Sequence, residues 1–108
     1  MKIDFIQLEF IHPTMRKLLQ WLEEIGIEFT ITSLYRPGDE GVHGTLPLRG
    51  VDIRMRNKEL GQRIEDMVNN SWRYDNKRAG FKCAILHGRD SNMHLHLQVH
   101  PNTVYLGA

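Results

Sequence analysis

Met93-His-Leu-His-Leu-Gln-Val99 alternates without a break between apolar and polar side chains. Successive side chains of a strand point to opposite faces. Leu95, Leu97 and Val99 are therefore read as a core face, with His94, His96, Gln98 and, one step on, His100 as the opposite row. A half-buried strand needs neighbours, and the rest of the chain is read for them.

Working back from this strand, Gly88-Arg-Asp-Ser-Asn92 has turn composition, and Lys82 to His87 reads as a strand leading into it. Residues 71–81 are polar with aromatic punctuation and read as a loop, with Trp72 and Tyr74 as candidates for the wall of a cleft. A helix of roughly 58–70, capped by Asn57, buries Leu60, Ile64, Met67 and Val68. Gly50-Val-Asp-Ile-Arg-Met55 is a short strand that points Asp52 and Arg54 to one side and Val51, Ile53 and Met55 to the other. The alternating, β-branched residues 27–35 form another strand. Between these two lies a loop, 36–49, that spends an Arg and a His among glycines and prolines. A helix opens at Pro13-Thr14, buries Met15, Leu18, Leu19, Leu22 and Ile25, and stops at a left-handed Gly26. Residues 1–11 read as an extended lead-in, and the tail beyond Pro101-Asn102 is expected to be only partly ordered.

At 108 residues the chain is expected to form one domain, residues 1–108. Fourteen basic residues against thirteen acidic ones leave a net charge of +1, which gives no electrostatic case for nucleic acid or an anionic membrane. The single Cys83 cannot form an internal disulfide, and its apolar neighbours Ala84-Ile85-Leu86 mark it as a buried structural thiol. No signal-peptide pattern opens the sequence and no apolar segment is long enough to span a bilayer, so cytoplasmic folding is expected.

The polar residues point to metal chemistry. A catalytic zinc takes three protein ligands from His, Asp, Glu or Cys and keeps one open position. His43 and Asp52, on the loop and on the strand it feeds, can converge on one point. His94 and His96 share a strand face about 6.5 Å apart, from two residue rises. That separation lets one bind an ion while the other supports it or acts on substrate. A His-x-His pair alone is a weak signal, because polar strand faces often carry histidine. The strength lies in Arg36, His43, Asp52 and His96 appearing in this order on this succession of elements.

That order resembles the superfamily of zinc D-alanyl-D-alanine carboxypeptidases, L-alanyl-D-glutamate endopeptidases and Hedgehog signalling domains. Thr32-Ser-Leu-Tyr-Arg36, His43 to Gly50-Val-Asp52, and Met93-His-Leu-His-Leu-Gln-Val99 carry the likeness, which spans residues 13 to 99. It implies an α+β fold in which a small antiparallel sheet packs against two helices. It also implies a single zinc ion held by His43, Asp52 and His96, with His94 beside it facing substrate. Arg36 would meet the substrate carboxylate or the developing oxyanion. The implied activity is peptide-bond hydrolysis in the stem peptides of bacterial peptidoglycan, by a monomer that folds in the cytoplasm of its producing cell and reaches the wall on lysis or by a phage route.

Two departures stand out. His43 and Asp52 enclose eight residues rather than the six of the family pattern, with extra residues around Leu46-Pro47, and Leu48 replaces a customary glycine. Three residues before His96, where the peptidases carry an acidic base, stands Met93. Asp90, six residues before His96, matches the Hedgehog-type spacing and is the first candidate for the base; His94 is the second. If neither serves, the chain is expected to be a zinc-binding module without activity. A purely structural domain with surface histidines is the remaining reading.

Overall fold

The computed structural model describes residues 11–33 and 48–107. Helix α1 (Pro13–Glu24) begins with proline in its first turn, and the His12 ring accepts a hydrogen bond from the Thr14 amide as its cap. Gly26 closes it with φ +90°. Met15, Leu18, Leu19 and Leu22 are fully buried, but Ile25 is exposed, because the helix has ended before it can join the stripe.

Strand β1 (Ile31–Ser33) is shorter than the alternation of 27–35 predicts; residues 27–29 are not in the ladder, and 34–35 lie outside the described residues. Strand β2 (Gly50–Arg54) follows, then α2 (Lys58–Ser71), capped by the Asn57 side chain accepting from the Leu60 amide at 3.1 Å. The buried stripe of α2 is Gly61, Ile64, Val68 and Ser71; Leu60 is exposed and Met67 only half-buried. The reason is close approach: a Cβ on Gly61 would come within 2.8 Å of the Met55 side chain and 3.0 Å of Leu86. The helix meets the sheet along its smallest residue and rotates Leu60 outward.

The region 71–81 holds more structure than a loop. Trp72–Arg73 form strand β3, paired antiparallel with β6 (Val104–Tyr105). Trp72 and Tyr74 are 5% and 6% exposed and join the core, and their remaining surface lines a hollow of about 410 Å³ with Phe81 and Leu106. The tail is held accordingly. Tyr105 packs on Trp72 and Trp21, and the Leu106 amide donates to Ser71 O at 2.7 Å.

Strands β4 (Ala84–His87) and β5 (His94–Gln98) complete the main sheet, whose order β1-β2-β5-β4 is antiparallel throughout. Its inner face carries Val51, Ile53, Ala84, Leu95 and Leu97, all buried in one core with the apolar stripes of both helices. Each fully buried leucine contributes about 1.5–3 kcal/mol through apolar area removed from water. The molecule is thus a small α+β fold with two helices and a small antiparallel sheet.

Candidate functional site

The register that buries the leucines also assembles the polar groups. Asp52 is directly opposite His96, and Arg54 opposite His94; across the other ladder His94 faces His87 and His96 faces Ile85. Side chains from three strands therefore share one patch on the outer face of the sheet.

At its centre His96 Nδ1 lies 2.9 Å from Asp52 Oδ1, with both side chains about 15% exposed. The other ring nitrogen, Nε2, lies 3.2 Å from Gln98 Oε1. The Gln98 amide is oriented by its own nitrogen, which donates to Lys82 O at 2.8 Å. Its oxygen is thereby turned to His96; amide and carboxylate oxygens both accept, so a ring protonated on both nitrogens satisfies both contacts and a neutral ring only one. A neutral His96 leaves the lone pair of one nitrogen facing an acceptor oxygen. Two acceptors at that distance repel unless a cation lies between them. The cation is either a second proton, giving an imidazolium–carboxylate pair, or a metal ion whose ligand has its far nitrogen anchored by hydrogen bonding.

Asp52 and His96 are donor types that zinc accepts, one imidazole and one carboxylate, and their facing atoms are at hydrogen-bond distance, 2.9 Å. Among the described residues no group of three or more His, Cys, Asp or Glu could by itself hold a metal. His43, the third ligand of the sequence reading, lies outside the described residues, as does Arg36.

His94 has a different environment. Its Nδ1 is 3.0 Å from Asn92 O, a carbonyl that can only accept, so the neutral ring carries its proton on Nδ1 and its lone pair on Nε2. The carbonyl is presented by the 3-10 turn Asp90–Asn92. That turn depends on Gly88, whose φ of +83° favours glycine and whose Cβ would run into the Asn92 carbonyl. Asp90 opens this turn, but its side chain lies outside the described residues. Asp52, His94, Thr32 and Arg54 line one hollow of about 240 Å³ between the turn and β1.

Sequence reading missed three participants. His87 stacks on His94 at 5.5 Å and meets His96 edge-on at 6.2 Å. Its signal was faint, because only the β4–β5 register shows that it joins the row. Gln98 was placed on the correct face, but its role as the group that fixes His96 was not legible. Arg54 brings a cation into the hollow. His100, in contrast, leaves the row: it packs against Tyr74 at 5.6 Å and sits 3.7 Å from Asp75, because the strand has ended before it.

No family model matches the chain, and neither a curated protein nor a solved structure does. No helix among the described residues is long and apolar enough to cross a membrane.

Proposed function

We propose that this protein is a zinc-dependent peptidase of the Hedgehog and D-alanyl-D-alanine peptidase type, acting on the stem peptides of peptidoglycan. The observation that carries the reading is the strand register that sets Asp52 opposite His96, with His96 Nδ1 2.9 Å from the carboxylate and Nε2 3.2 Å from Gln98 Oε1. Asp52 and His96, together with His43, would hold the ion. Zinc in such a set supplies Lewis-acid chemistry, polarising a carbonyl and making water nucleophilic near neutral pH.

The chain's own residues would do the rest. His94, with Nδ1 committed to the Asn92 carbonyl, can take a proton at Nε2. Asp90, at the head of the same turn, is the other candidate base. Arg36 would meet a substrate carboxylate or the charge that develops on the carbonyl oxygen. Gln98 orients His96, and the Gly88 turn orients His94, so both imidazoles are set before substrate arrives.

The test has two parts. Metal analysis of untagged protein should find one zinc per chain, and its absence removes the metal reading. Digestion of purified muropeptides should then release stem-peptide fragments, with His94→Ala or Asp90→Ala abolishing most of the release while zinc is retained. Zinc without cleavage of any stem peptide would favour the inactive, zinc-holding alternative.

A further inference from the structure

A hollow larger than that beside the histidines lies elsewhere. It lies around the sheet end, between the start of α2 and the turn after β4, and encloses about 730 Å³. We propose that it is an oxyanion-binding site, taking a carboxylate or phosphate group of the protein's ligand.

Three cations come from neighbouring segments: Arg56 from the link between β2 and α2, Lys58 from the first turn of α2, and Arg89 from the turn after β4. Among the described residues only one carboxylate lines the same space. That is Glu65, whose Oε2 accepts the Leu86 amide at 2.6 Å and so ties α2 to β4. A chain with almost equal numbers of basic and acidic residues has gathered three cations against one acid here. None of the three cationic side chains forms a hydrogen bond or ion pair among the described residues. Holding like charges around a concavity without counter-ions is unfavourable, and an entering anion relieves it.

The chemistry fits an oxyanion. Two guanidiniums offer planar forks that match carboxylate or phosphate oxygens, an ammonium adds a third charge, and Gln62 supplies a neutral donor. The positive end of the 14-residue α2 adds in the same sense. The location gives the site a role. Met93 lines both this hollow and the smaller one that holds Asp52 and His94, so the two are neighbours. A ligand with an anionic group could anchor here and lie across the polar face. The oxyanion site itself does not rest on the peptidase reading, because none of its residues belongs to the Asp52–His96 pair.

The test is a titration of the full-length ¹⁵N-labelled protein, with chelator present, using inorganic phosphate and, separately, glutarate, at constant ionic strength set by chloride. Saturable amide shifts are expected around Lys58, Gln62 and Arg89. The double variant Arg56→Gln/Arg89→Gln should bind at least about tenfold more weakly, while Arg73→Gln, on another element, should bind as wild type. Tighter phosphate binding would assign the ligand to the phosphoesters, and tighter glutarate binding to acidic peptides. Absence of saturable shifts with either anion, or equal affinity in the double variant, overturns the proposal. If the double variant does not fold, Arg56→Gln and Lys58→Gln are compared singly by the same criterion.

Discussion

Two histidine–aspartate pairs lie among the described residues; in both, Nδ1 is the ring atom nearest the carboxylate, and they differ in what else partners the two residues. In His100–Asp75 the closest ring nitrogen, Nδ1, accepts the Asn102 amide at 3.0 Å, while Asp75 accepts the Lys77 amide at 3.0 Å. Thr103 completes the arrangement, its hydroxyl accepting from the His100 amide and donating to Tyr74 O. Each group around that pair has a backbone partner, and the result is a staple that fixes the tail to the loop after β3. In His96–Asp52 both ring nitrogens face side-chain oxygens, Nδ1 the Asp52 carboxylate and Nε2 the Gln98 amide. The same residue types thus build a structural knot on backbone groups in one place and a side-chain pair on the outer sheet face, the proposed metal site, in the other.

The largest effect that can break this comparison is metal addition. At zinc a thousandfold above Kd, wild type should gain about 4 kcal/mol of stability, seen in calorimetry as a Tm rise of more than about 10 °C. Asp52→Asn should lose most of that gain, whereas Asp75→Asn should keep it. Equal loss in both variants would mean that the two pairs are not different in kind.

The staple is next. Thr103→Val removes a buried hydroxyl that serves two backbone groups, at a cost of about 1–3 kcal/mol in denaturant unfolding. Zinc affinity should be unchanged. Gln98→Ala reverses the pattern: apo stability should move little, while zinc affinity falls by about 10–100-fold in a competition titration.

A smaller effect separates the pairs by pH. The Lys77 amide holds the Asp75 carboxyl below its ordinary range; burial opposes this, and the Asn102 side chain with the nearby His100 and Arg78 add to it. The folded value lies below the unfolded one, so this stabilisation is present above about pH 4 and is lost as pH falls through the folded value. Asp75→Asn should therefore flatten the acid limb of a Tm-against-pH curve. Least disturbing is the thiol. Burial pushes Cys83 up to about 12, so a thiol reagent at neutral pH should modify it only after denaturation.

Much of this architecture was legible. Strict alternation in 93–99 has one strand solution, and the observed burial of Leu95, Leu97 and Val99 follows it. The capped helices were readable from Pro13, Gly26 and Asn57 because each cap is a local event. Leu60 was misplaced since helical spacing allows neighbouring stripes, and only the packing of Gly61 on Met55 and Leu86 selects one. The β3–β6 pairing was missed because two-residue strands some thirty positions apart leave no periodic signal.

The sequence by itself determined the alternation that puts Asp52 and Arg54 on one strand face and His94, His96 and Gln98 on another. Side-chain period along a strand is a property of the backbone. Only the tertiary structure decided that those faces are the same face, that Asp52 is opposite His96 rather than His94, and that His87 joins them. Register between distant strands is set by the common burial of Val51, Ile53, Leu95 and Leu97, a condition on the whole core that no single stretch contains.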